Sequence, residues 1–113
     1  EMYLPVAHAE GKFVARDPQT LQRLQQEGHL ALCYRRLSGK EGGEGEAVPY
    51  PDNPNGSMAN TAGVCDTTGR VFGLMPHPER HIDATQHPRW TRGEAHQPGD
   101  GLAVFRNAVE YFA

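Results

Sequence analysis

The chain has 113 residues, a formal net charge of −3 at pH 7 and 37% hydrophobic residues. That length suits one modest domain, able to bury roughly 60–70% of the surface its unfolded form exposes. The mild negative charge gives no electrostatic basis for binding nucleic acid or an anionic membrane, and no apolar run approaches the ~18 residues that a spanning helix requires.

With 13 glycines and 9 prolines the chain reads as loop-rich. Its two cysteines, Cys33 and Cys65, form neither a disulfide framework nor a CxxC site, a usage that fits a reducing, cytoplasmic setting. The opening Glu1-Met2-Tyr3-Leu4-Pro5-Val6 stands at the threshold of an apolar strand, so a piece of a longer polypeptide is expected. Leu4–Ala7 is a short apolar run, followed by His8 and Glu10, two apart, and by Gly11, which permits a turn.

Asp17-Pro18 opens a helix, with Asp as N-cap and Pro in the first helical position. Leu21 and Leu24 share its narrow inward face, and Gly28 ends it. Leu30–Tyr34 is expected as a core strand with Cys33 buried as a small hydrophobe. Residues 38–46 form a glycine-rich acidic loop without a phosphate-cradling context. Tyr50–Ser57 is dense in turn formers; Asn55-Gly56-Ser57 also matches a glycosylation sequon, which is empty without a secretory route. Met58–Val64, the turn Asp66–Gly69 and Arg70–Leu74 read as a hairpin whose second strand is buried. Cys65, beside Asp66, lacks the basic partner or helix N-terminus that activates a thiol, and is read as structural.

Gly73-Leu74-Met75-Pro76-His77-Pro78-Glu79-Arg80 is the most distinctive stretch. Prolines push Met75 and His77 toward extended geometry, in which residues two apart point to one side. His77 and Glu79 are therefore expected side by side, an imidazole oriented by a carboxylate as a general base requires. His77-x3-His81 has the spacing of two metal ligands on a helix, but Pro78 disfavours that helix. Residues 80–98 are irregular. Asp100 to Phe112 reads as an amphipathic helix capped by Asp100, with Leu102, Phe105, Val109 and Phe112 on a face expected to pack on the sheet.

The motif resembles the His/Glu motif of class I, triad-type glutamine amidotransferases, in particular the glutaminase branch serving phosphoribosylformylglycinamidine synthase. Leu4–Phe13, Asn53–Ser57, Ala62–Val64 and Gly99–Leu102 agree in order, with Ala9 standing where the family typically has glycine. The resemblance implies an α/β fold: residues 1–113 as the C-terminal half of a flavodoxin-like amidotransferase domain, a mixed sheet with flanking helices. It implies His77 and Glu79 as catalytic residues, with His8 and Glu10 facing substrate or channel. It implies glutamine as substrate and a synthetase subunit or domain as partner, with a small accessory subunit as a further candidate. No cofactor or metal is implied in this chain; ATP and magnesium belong to the synthetase. The family's nucleophile lies in a Gly-x-Cys-x-Gly elbow that this chain lacks, so the chain alone is expected to be inactive and to leave apolar sheet edges open. Three alternatives stay open: the glutaminase of another class I amidotransferase, a metal-binding module using His77, Glu79, His81 and His87, and a non-catalytic interaction domain on the same scaffold.

Overall fold

A computed structural model describes residues 1–37 and 46–113, so the expected acidic loop lies, but for Glu46, outside the described residues. The chain divides into two compact units: His8–Met75, and Glu1–Ala7 together with Pro76–Ala113.

The unit His8–Met75 begins with α1 (Pro18–Gln26), formed as its start signals dictate. Asp17 is the N-cap, and its Oδ1 accepts the Thr20 amide at 2.7 Å. Only Leu21 and Leu24 of the helix's apolar residues are half-buried, the narrow face the spacing implies. Gly28 follows at φ +75°, a left-handed exit that favours glycine.

Three strands make an antiparallel sheet in the order β1 (Leu32–Cys33), β2 (Thr61–Cys65), β3 (Phe72–Leu74). β2 is central because its residues are small enough to be covered on both faces: Thr61, Ala62 and Gly63 are all buried. Gly63 faces Leu74 and Cys65 faces Phe72, the register of the expected hairpin. Its turn is closed by Asp66, whose Oδ1 accepts the amides of Arg70 and Val71, each at 3.1 Å. The bond from the Thr68 hydroxyl, followed by those from the Val71 and Arg70 amides, holds the Asp66 carboxyl below its ordinary pKa.

Several expectations need correction here. Among the described residues every pairing is antiparallel, not mixed. β1 spans two residues rather than five, with a register irregularity between Leu32 and Cys33. Cys33 is exposed, not buried. β3 is an edge strand with only one described neighbour, which leaves Val71 67% and Phe72 42% exposed rather than buried.

In the second unit, α2 (Leu102–Phe112) is the expected terminal helix. Its N-cap is Gly101, without a side-chain cap bond. The Asp100 carboxylate is engaged elsewhere: Oδ2 accepts the Tyr3 amide at 2.7 Å and Oδ1 lies 3.0 Å from His96 Nε2. No residue of α2 is buried, and Phe105, Val109 and Phe112 of its apolar face are exposed. Residues 78–92 contain three single 3₁₀ turns, Pro78–Arg80, Ala84–Gln86 and Trp90–Arg92. Among the described residues no helix is long and apolar enough to cross a membrane.

Candidate active site

Pro76, the residue at which the chain enters the second unit, is buried, and His77 follows in extended conformation, φ −106° and ψ 91°. That is the geometry a residue before proline prefers. The His77 amide donates to the Pro5 carbonyl at 2.8 Å, which pins the backbone at the histidine. Pro78 then starts a 3₁₀ turn over Pro78–Arg80 rather than continuing the extended run. The fixed φ of proline suits the first position of a helix, and its missing N–H is no loss there. The expected alternation is thus replaced by a turn, yet the two side chains still meet.

His77 Nδ1 and Glu79 Oε1 are 2.7 Å apart. A carboxylate only accepts, so Nδ1 carries a proton, and in the neutral ring Nε2 is the nitrogen with the free lone pair. The His77 side chain is 34% and the Glu79 side chain 55% exposed. The bond from His77 is the main cause that holds the Glu79 carboxyl below its ordinary pKa of 4.5, with the charges of His77 and Arg80 adding to it. Glu79 is therefore ionised at neutral pH. Arg80 Nε, at 4.0 Å from the same oxygen, is at the outer limit of an ion pair.

Two glycines let another segment close on this turn. A Cβ on Gly101 would collide with the Pro78 carbonyl, and one on Gly99 would sit 2.5 Å from the His81 carbonyl oxygen. Only glycine fits such approaches. Their amides make use of the proximity: Gly101 donates to the His81 carbonyl at 2.8 Å and Gly99 to that of Ile82 at 3.0 Å.

His8 and Glu10 belong to the other unit. Asn55 Nδ2 lies 2.7 Å from His8 Nδ1 and 2.9 Å from the Gly11 carbonyl. That amide faces several carbonyls, so it donates, and His8 Nδ1 accepts. Asn55 is anchored in turn by buried Asn53, whose side chain exchanges two bonds with the Ser57 backbone at 3.0 and 3.1 Å. The turn-rich Asn53–Ser57 stretch thus shapes the His8–Gly11 loop, a role that turn propensity alone did not reveal. Glu10 is exposed.

Neither cysteine is prepared for nucleophilic attack. Cys33 is exposed as a residue, yet partial desolvation of its sulfur pushes the thiol up, away from thiolate. Cys65 Sγ contacts the Gly28 carbonyl at 3.8 Å and has no basic neighbour in sequence. Among the described residues no three His, Cys, Asp or Glu side chains converge as a metal site would require, which leaves the set His77, Glu79, His81 and His87 without a common centre. His81 instead stands 3% exposed, its Nδ1 donating to the Tyr3 carbonyl at 2.6 Å. Its spacing from His77 suggested only metal, and no periodic signal marked it as a buried anchor.

A family model described as the CobB/CobQ-like glutamine amidotransferase domain matches residues 1–112. The chain is 42% identical over 110 residues to the phosphoribosylformylglycinamidine synthase subunit PurQ of Dehalococcoides mccartyi, covering 97% of this chain and 39% of that protein. It is 44% identical over 111 residues to PurQ of a Synechococcus species, covering 97% and 37%. With PurQ of Archaeoglobus fulgidus it shares 42% over 110 residues, covering 95% and 36%. The chain therefore spans well under half the length of these curated relatives.

Proposed function

The chain belongs to the CobB/CobQ-like glutamine amidotransferase family, and from this membership we propose that it carries the His–Glu part of a glutaminase site in phosphoribosylformylglycinamidine synthase. The observation that carries the reading is the 2.7 Å contact between His77 Nδ1 and Glu79 Oε1, which leaves Nε2 as the basic nitrogen. The nucleophile is a cysteine outside these 113 residues, since neither Cys33 nor Cys65 has an activating environment; the fraction of the PurQ relatives that the chain spans is consistent with this. Residues 1–113 are then one part of a flavodoxin-like domain.

In this mechanism His77 Nε2 accepts the thiol proton as sulfur attacks the side-chain amide carbon of glutamine. The imidazolium, stabilised by ionised Glu79, returns that proton to the departing nitrogen. Ammonia leaves, and a glutamyl thioester remains. Water attacks the thioester carbon, giving its proton to the same nitrogen; the thiolate leaves and is reprotonated, and glutamate is released. Ammonia passes to a synthetase partner that binds ATP and magnesium. The two free cysteines fit a cytoplasmic protein.

The test is to quench the intact protein during glutamine turnover and map the thioester by mass spectrometry. The glutamyl adduct is expected on a cysteine outside residues 1–113. An adduct on Cys33 or Cys65, or no glutamate release from glutamine, would contradict the reading.

A further inference from the structure

We propose that His81 is a positioning residue for the His77–Glu79 pair, an inference that rests on His77 being the base of the proposed glutaminase. Tyr3 and Pro5, two residues apart, present their carbonyls to the two ends of one turn. The Pro5 carbonyl accepts the His77 amide at 2.8 Å, and the Tyr3 carbonyl accepts His81 Nδ1 at 2.6 Å. Between these anchors lies only Pro78–Arg80, the turn that carries Glu79. The turn is closed internally by Arg80 N–H to the His77 carbonyl and His81 N–H to the Pro78 carbonyl, both at 3.1 Å.

The anchor at Tyr3 is itself held in place. Its amide donates to Asp100 Oδ2 at 2.7 Å, and its ring lies 4.9 Å from that of His87, which in turn lies 5.6 Å from His81. The His81 carbonyl accepts the Gly101 amide at 2.8 Å. Backbone and side chain of one residue thus join three segments.

A histidine here is not explained by packing. Its Nε2 is buried and has no hydrogen-bond partner among the described residues, a desolvation cost that leucine or methionine of similar size would not incur. What histidine supplies is the Nδ1–H donor. The Tyr3 carbonyl can only accept, so the proton resides on Nδ1. Loss of that donor releases the C-terminal end of the turn, and Glu79 with it, from the geometry that orients His77.

The measurement is glutamate release by the intact enzyme with two isosteric replacements. Asparagine can place an amide N–H where Nδ1 stands, whereas glutamine places it where Nε2 stands. His81→Gln is expected to lower kcat about 10–100-fold, with KM changed less than about twofold because substrate binding is untouched. His81→Asn recovers most of the rate. Wild-type kcat in His81→Gln, or no recovery in His81→Asn, overturns the proposal. Should His81→Gln fail to fold, imidazole 15N shifts of the wild-type protein decide: the Nδ1–H tautomer at His81 supports it, and the Nε2–H tautomer overturns it. His77→Ala run alongside separates the two readings. Activity lost there but intact in His81→Gln removes the role of His81 alone, whereas activity surviving in His77→Ala removes the base assignment and this inference with it.

Discussion

Glu79 Oε1 lies 2.7 Å from His77 Nδ1 across a single proline, so the acceptor that fixes the imidazole tautomer comes from within three consecutive residues. The dyad needs no distant partner for its tautomer. Its environment is half open to solvent, and the bond from His77 holds the exposed carboxyl below its ordinary pKa.

Glu79→Gln keeps the shape of the pair but replaces an ionised acceptor with a neutral amide. The amide can present its N–H₂ to Nδ1 and so favour the wrong tautomer. We expect kcat for glutamine hydrolysis in the intact enzyme to fall on the order of 10²–10³-fold. Steady-state assays at saturating glutamine, with KM followed in parallel, check this.

Gly101→Ala tests the close approach at the turn. The added Cβ would overlap the Pro78 carbonyl, so either the turn or the start of α2 must shift. Overpacking of this kind costs about 1–3 kcal/mol. A lower denaturant midpoint at unchanged m-value, together with reduced glutaminase kcat, is expected; a neutral effect on both would show that the approach is looser than the geometry indicates.

Asp83 provides a pH signature. Its carboxylate accepts from the Thr85 hydroxyl at 2.7 Å, from the Thr85 amide at 2.9 Å and from Gln97 Nε2 at 2.7 Å. These bonds, Thr85 first, bring it from the ordinary 3.8 to about 2. A depressed folded-state value means the carboxylate favours the folded form at every pH above the unfolded value. That contribution fades as pH falls from about 4 through about 2. Side-chain carboxyl NMR should give a midpoint near the lower figure, and Asp83→Asn should flatten the acid limb of stability over that window.

What could be read from the residues alone follows the range of the interactions involved. Asp17-Pro18 as a helix start, Gly28 as its end and Asp66–Gly69 as a hairpin turn are decided by neighbours, and all three are present. The meeting of His77 and Glu79 was legible too, although its route was not: Pro78 favours a helical first turn as readily as it stiffens an extended one. Burial was the weak point. Whether Cys33, Phe72 and the apolar face of α2 are covered depends on partners many residues away, or on none among those described, and periodicity carries no information about that. Asp100 was expected to cap a helix, but the Tyr3 amide claims its carboxylate across 97 positions. Long-range bonds to main-chain atoms leave no composition signal, which is why the anchoring roles of His81 and Asn55 were not legible.

The decisive comparison is His77→Ala in the intact synthase, assayed with glutamine and separately with ammonium as the nitrogen source. Loss of Nε2 as base should abolish glutamine-dependent amidine formation while ammonium-dependent synthesis continues at the wild-type rate. Glutamine-dependent turnover that persists without the imidazole would contradict the assignment of His77 as the general base.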